Sequence, residues 1–326
     1  MKKYDIYGMG NALVDLEYEV DDQFLLTQNI EKGLMTLVDQ ERQLELTSSL
    51  GNMEKKRACG GSAANTIIGF TQLGGRSYYS CKVASDSLGD FYYSDLKNNG
   101  VALSDKEREV GITGQSLVMV TPDAQRTMNT FLGITESYSH DQFNQEALEA
   151  SRWLYIEGYL VTGPGSLDAA IKARDHALDK NIKVAMTFSD PAMVKFCKDG
   201  LDSMLGKKKI DLLFCNSEEA QGFTGCSSVD EAMEVLKERA HSLAITLGPD
   251  GALLWHEGQL VKVSAPKANA IDTNGAGDLF AGAYLYGLHS GMTSKEAGEL
   301  ATKSSARLVE KFGARLTAEE VALLKK

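Results

Sequence analysis

The chain has 326 residues, 43% of them apolar and 24% charged, with a formal net charge of -11 at pH 7. That length supplies a large buried core, in one large domain or two smaller ones. The acidity excludes a global attraction to nucleic acid or an anionic membrane, so an anionic substrate must be held by local cations or backbone dipoles. No apolar run reaches the roughly 18 residues of a membrane span. The five cysteines (Cys59, Cys81, Cys197, Cys215, Cys226) form no C-x-x-C pair, and the histidines show no metal-ligand spacing. With no targeting segment visible, this pattern favours a reducing, cytoplasmic setting.

In chain order, "YDIYGMG" at 4–10 predicts a first strand ending in a glycine turn. "LEYEV" alternates apolar and acidic residues as a half-exposed strand does, and "GLMTLVD" at 33–39 predicts another. "SAANTIIGFTQLGG" at 62–75 predicts a helix stopped by Gly-Gly. "SYYSCKVAS" then reads as a strand and "SLGDFYYSDLKNNG" as a helix. "GQSLVMVTPDAQRTMNTFLG" at 114–133 predicts a hairpin around Pro-Asp.

From Trp153 the rhythm is strand, helix, strand, helix. The strands are "WLYIE", "KVAMTF", "DLLFCN" and "LAITL". The helices are "SLDAAIKARDHALDK", one after Pro191, and "SVDEAMEVLKERAH". The hairpin "GALLWHEGQLVKV" and two long helices, at 276–291 and 294–313, end the chain. Continuous apolar strands alternating with helices predict a doubly wound, mainly parallel α/β sheet covered on both faces. The strand-rich segments 15–59 and 110–133, expected to lack helices, would pair into a small β-sheet lid. The large α/β domain would then comprise 1–14, 60–109 and 134–326. Ligands in such sheets bind beyond the carboxyl ends of the strands.

Several familiar signals are absent. There is no P-loop, the "GMGNAL" turn lacks the third glycine of a dinucleotide fingerprint, and neither G-x-S-x-G nor H-E-x-x-H occurs. What remains are glycine turns beside carboxylates. In "DTNGAGD", Gly275, Ala276 and Gly277 precede an apolar helix, whose free N–H groups and dipole favour an anion. Asp278 sits in the first turn, where a carboxylate beside a phosphoryl group has one natural task, taking a proton from an attacking hydroxyl. Read alone, it is equally a helix cap.

"CGGSAANT" places Gly60, Gly61 and Asn65 at a second helix start, where polar side chains suit sugar hydroxyls. "GNALVD" puts Asn11 and Asp15 past the first strand, with Asp15 able to accept two hydroxyls. Asn216 and Glu219 in "NSEE" share one face of a helical turn, and oxygen ligands of this kind suit Mg²⁺ directly or through water. Thr246, Gly248 and Gly251 in "TLGPDGA" form either a nucleotide surface or a plain turn. Taken singly, each motif also reads as an ordinary turn or cap.

Together, "GG-x-x-x-N", "N-x-x-E" and an intact "DT-x-GAGD", in this order over nearly the whole chain, resemble the pfkB, or ribokinase-like, carbohydrate kinase family. The resemblance implies ATP and Mg²⁺ as cofactors, with a monovalent cation such as K⁺ near the anion hole in many members. It implies Asp278 as catalytic base and the Gly275, Ala276 and Gly277 amides as the γ-phosphoryl hole. Asn216 and Glu219 would hold Mg²⁺ through water. Asn216, Thr246, Gly248 and Gly251 would serve the nucleotide, and Asn11, Asp15, Gly60, Gly61 and Asn65 the acceptor.

"GNALVD", "GGSAAN" and the hairpin resemble the adenosine kinase branch, which places Arg126 where an arginine reaches phosphate from the lid. One departure stands in the last long helix, where Thr302 occupies a position that is often Asn. The implied activity is transfer of the γ-phosphate of ATP to the primary hydroxyl of a ribose-containing acceptor, adenosine first. The alternatives are a free-sugar kinase, ribokinase- or fructokinase-like, and a silent nucleotide- or sugar-binding protein. The expected partner is a small sugar or nucleoside, with no nucleic acid or membrane, in a monomer or homodimer.

Overall fold

Among the described residues, thirteen stretches pair as strands. In chain order they are β1 (Ile6–Met9), β2 (Leu13–Glu19), β3 (Met35–Leu37), β4 (Glu54–Cys59), β5 (Ser77–Ser80), β6 (Gly114–Val120) and β7 (Arg126–Phe131). They continue with β8 (Trp153–Ile156), β9 (Lys183–Thr187), β10 (Ile210–Asn216), β11 (Ala240–Thr246), β12 (Ala252–His256) and β13 (Gln259–Val263). The structure is a computed structural model that describes residues 2–51, 54–123 and 125–324.

The larger sheet has eight strands in the order β13-β12-β11-β10-β9-β8-β1-β5. β5, β1, β8, β9, β10 and β11 run parallel, and the β12–β13 hairpin is antiparallel at one edge. Every residue of β5 and β8 is buried, as strands covered on both faces must be. Alternation divides each strand between two cores. Ile6, Trp153 and Tyr155 pack with Ile67, Phe70, Leu279 and Leu308, on the face covered by the helices Ser62–Gln72, Ala276–His289 and Ser294–Leu308. Tyr7, Leu154 and Ile156 pack on the other face with Ala169, Met193, Leu201 and Ala232, from the helices between β8 and β11. This is the doubly wound α/β class expected. Among the described residues, no helix is long and apolar enough to cross a membrane. All five cysteines are free thiols.

The remaining strands form a second sheet, ordered β3-β7-β6-β2-β4. β2 alternates as its sequence demands. Val14, Leu16 and Tyr18 are buried, while Leu13, Asp15 and Glu17 face the other way. The expectation of a helix-free segment fails, because the helices Asp22–Thr27 and Gln40–Leu50 lie within it. They exist to cover the outer face, with Leu25, Leu46 and Leu50 packing in one core with Val14, Leu16 and Tyr18.

Two helix ends also fall short of expectation. The helix after Ser228 stops at Leu236, and Ala240 and His241 already belong to β11. The last long helix ends at Leu308.

Candidate active site

The parallel strands of the larger sheet deliver Asn11, Glu157, Asp190, Asn216 and Thr246 to one edge, their carboxyl ends. There a cavity of about 600 Å³ opens beneath the second sheet, with all five in its lining. The inner face of the second sheet forms its roof. Asp15 is in register with Ser116, Ser116 with Thr130, and Thr130 with Leu37, so one row crosses four strands and all four side chains line the cavity.

Two helix starts close the third side. The helix Ala276–His289 begins at Gly275, which has φ +74 in the left-handed region that glycine adopts freely. A β-carbon there would stand 2.5 Å from the Ala314 carbonyl oxygen. Gly282 lets this helix approach the helix Ser62–Gln72, since a β-carbon at 282 would meet the Thr66 carbonyl at 2.5 Å. That close crossing sets the two first turns face to face. Ser62 Oγ donates to one oxygen of Asp278 at 2.6 Å and Asn65 Nδ2 to the other at 2.9 Å.

Burial pushes the Asp278 carboxyl up to about 6, against the pull of these two hydrogen bonds and of Arg315. A carboxylate at that value is mostly charged at neutral pH and close to optimal for accepting a proton. Burial likewise lifts Asp15 to about 6, with Arg126 and Arg315 opposing. The Asp15 carboxylate fits because Gly60 has no side chain, a β-carbon there lying 2.8 Å from Asp15 Oδ1.

Asn216 and Glu219 form a reciprocal capping box. The Asn216 backbone N–H and Nδ2 donate to Glu219 at 3.0 and 2.9 Å, and Glu219 N–H donates back to Asn216 Oδ1 at 2.8 Å. Burial lifts Glu219 to about 7, with the charges of Asp190 and others adding. Among the described residues, no cluster of three or more His, Cys, Asp or Glu stands ready to hold a bare metal ion. The capping bonds leave lone pairs on both Glu219 oxygens. The donor set therefore fits a hydrated Mg²⁺ held through its waters, an ion that sheds water reluctantly.

Of the residues singled out from the sequence, Asn11, Asp15, Gly60, Gly61, Asn65, Asn216, Glu219, Thr246, Gly275, Gly277 and Asp278 line this one cavity. Ala276, Gly248, Gly251 and Arg126 are not in its lining. Gly248 and Gly251 lie in the turn between β11 and β12. Arg126 bonds through Nη1 to Asp272 at 2.7 Å, tying the second sheet to the glycine loop. Asp272 shapes that loop, accepting from the Asn274 and Gly313 amides at 3.0 and 2.9 Å. Thr302 turns its hydroxyl back onto the Gly298 and Glu299 carbonyls of its own helix.

Two residues escaped sequence reasoning. Glu157 is fully buried and accepts from the Asn11 and Ala63 amides at 3.1 and 2.7 Å, joining β1 to the second helix start. Burial lifts it to about 7. Its signal was a lone charge ending the apolar strand "WLYIE". Arg315 donates through Nε to Asn65 Oδ1 at 2.7 Å and through Nη1 to Asp95 at 2.5 Å, while Nη2 is buried without a partner among the described residues. A guanidinium only donates. It therefore fixes which end of the Asn65 amide points at Asp278.

A doubly wound sheet with its cavity at the carboxyl edge, roofed by a small sheet and floored by two glycine-led helix starts, is the ribokinase-like fold. The structure is similar to adenosine kinase from Sinorhizobium meliloti, with a TM-score of 0.89 at 32% identity over 99% of this chain and 100% of that one. It is similar to a probable sugar kinase from Rhizobium etli CFN 42, with a TM-score of 0.90 at 30% identity over 100% and 99%. Adenosine kinase 2 of Arabidopsis thaliana is 25% identical, over 94% of each chain. The profile of the pfkB family carbohydrate kinases matches residues 34–321. The chain belongs to the pfkB family, and that membership implies a kinase that uses ATP.

Proposed function

We propose that this protein is a nucleoside kinase that transfers the γ-phosphate of ATP to the primary hydroxyl of a ribose-containing acceptor, adenosine being the first candidate. The observation that carries the acceptor class is the roof of the cavity. Leu13, Met35, Leu37, Met128 and Leu132 line it beside Asn11 and Asp15. Met35 and Leu37 are 40% and 50% exposed. A free sugar offers hydroxyls to Asn11 and Asp15 but nothing to so many apolar side chains. A base attached to the ribose covers them, removing apolar surface from water at about 25 cal/mol per Å².

In this reading the acceptor oxygen attacks the γ-phosphorus and the bond to the ADP oxygen breaks. Asp278 takes the hydroxyl proton, and the Gly275 and Gly277 amides hold the developing charge; the Ala276 amide, expected beside them, donates instead to the Thr273 carbonyl at 3.2 Å. Asn216 and Glu219 orient a hydrated Mg²⁺, which supplies charge neutralisation on the phosphates when bound. Arg126 and the second sheet close over the acceptor as a lid. The likeness to the S. meliloti adenosine kinase supports the nucleoside reading, and that to the R. etli probable sugar kinase keeps a free-sugar acceptor as the alternative. An acceptor panel with ADP detection tests it. Turnover with adenosine and little with ribose or fructose is expected, and the reverse order overturns the nucleoside assignment.

A further inference from the structure

The opposite edge of the larger sheet carries a second cavity, of about 700 Å³. It lies at the amino ends of β8 and β9, where Trp153 and Lys183 are in register and both line it. The β12–β13 turn, the end of the helix Ala276–His289 and the start of the helix Ser294–Leu308 complete the wall. This cavity thus sits at the far end of the helix whose first turn carries Asp278.

Its charge runs against that of the molecule. Lys2, Arg152, Lys183 and Lys295 line it, with Glu257 the one lining carboxylate among the described residues. His256 and His289 also line it, but burial holds both imidazoles below their ordinary value, so they are neutral, His289 lying 3.4 Å from Asp5. The chain as a whole has 45 acidic and 34 basic residues. These cations are poorly neutralised from within. Among the described residues Lys183 has no carboxylate partner, and its Nζ lies 5.2 Å over the Trp153 ring. Arg152 comes only within 3.8 Å of Asp5, whose carboxylate is already gripped by Arg76 at 3.0 and 2.7 Å. Lys295 stands 3.8 Å from Glu299. Lys2 donates to the Glu149 carbonyl, which carries no net charge.

Concave walls concentrate such a field, and four separate segments supply it, so one negative charge does not satisfy it. Arg152 offers the planar fork that suits phosphate oxygens. Trp153, Val261 and Leu288 add apolar surface between the cations.

We propose that this cavity is a second anion site, separate from the catalytic one, for a small molecule bearing two or more phosphate charges. The test uses the full chain and inorganic tripolyphosphate at constant ionic strength. Intrinsic tryptophan fluorescence is the readout, since one of the chain's two tryptophans, Trp153, lines the site. A saturable change is expected, and the double variant Arg152→Gln/Lys183→Gln weakens it by about tenfold or more. Gly277→Asp sets a carboxylate in the catalytic cavity, where nothing lies within 4 Å of a β-carbon at that position; it leaves the fluorescence titration unchanged. Calorimetry on the same variants guards against a silent fluorophore. Binding lost in Gly277→Asp but kept in the double variant overturns the proposal, as does an equal response to chloride at matched ionic strength.

Discussion

Asp278→Asn separates chemistry from stability within one residue. The substitution is nearly isosteric. An asparagine oxygen accepts from Asn65 Nδ2, and its amide donates to Ser62 Oγ, which stand 2.9 and 2.6 Å from the present carboxylate. Turnover collapses because the base is gone. Stability moves the other way. The folded-state value of Asp278 is raised from the ordinary 3.8 to about 6, chiefly by burial. A raised carboxylate leaves its stabilising contribution intact below the unfolded value and loses it as pH climbs through the folded one. Between 3.8 and about 6 that loss amounts to about 3 kcal/mol, of which about 1 has been incurred by pH 4.5. Asparagine does not ionise, so the variant gains relative to the parent by about 1 kcal/mol at pH 4.5 and up to about 3 kcal/mol at pH 8. Paired urea denaturation at the two pH values measures this. A variant that is less stable at pH 8, or whose gain is the same at both, refutes the reasoning.

Arg315→Gln removes a cation that favours the charged form of Asp278 and frees the Asn65 amide. The acid limb of kcat/KM then moves to higher pH, so activity at pH 6 falls more than at pH 8, and an unmoved limb contradicts the assignment. Arg126→Ala leaves Asp272, 8% exposed, with only backbone partners. The cost is about 1–3 kcal/mol in denaturant unfolding, and a loss within error counts against the tie between loop and second sheet. Glu219→Gln puts an amide N–H where Asn216 already donates. Half-maximal turnover then requires about tenfold more Mg²⁺, and an unchanged Mg²⁺ titration removes Glu219 from the metal's surroundings.

What was readable follows from what each residue's neighbours are. β8 and β5 are buried on both faces, so their apolar runs announced them. β2 announced itself by alternation. The helices at 22–27 and 40–50 bury few apolar side chains, among them Leu25, Leu46 and Leu50, which is too sparse a stripe for periodicity. Their caps were nonetheless present, with Asp21 and Asp39 accepting from the Phe24 and Arg42 amides, both at 2.8 Å. β4 reads "EKKRAC", with the charge of an edge strand, and carries no apolar signal. Within the site, the glycine turns and their carboxylates are local motifs and were visible. Arg315 acts on Asn65 across 250 residues, and Glu157 acts through backbone amides of two other elements. Neither relation exists until the sheet is wound.

The central claim is phosphoryl transfer to the primary hydroxyl of a nucleoside, with Asp278 as the base. Phosphorus NMR of a reaction with ATP and adenosine, run beside one with 5′-deoxyadenosine, tests it most directly. The account predicts a phosphomonoester on the 5′ carbon with adenosine and none with the deoxy compound, which instead competes for the cavity. A phosphorylated product from 5′-deoxyadenosine, or from free ribose in preference to adenosine, contradicts it.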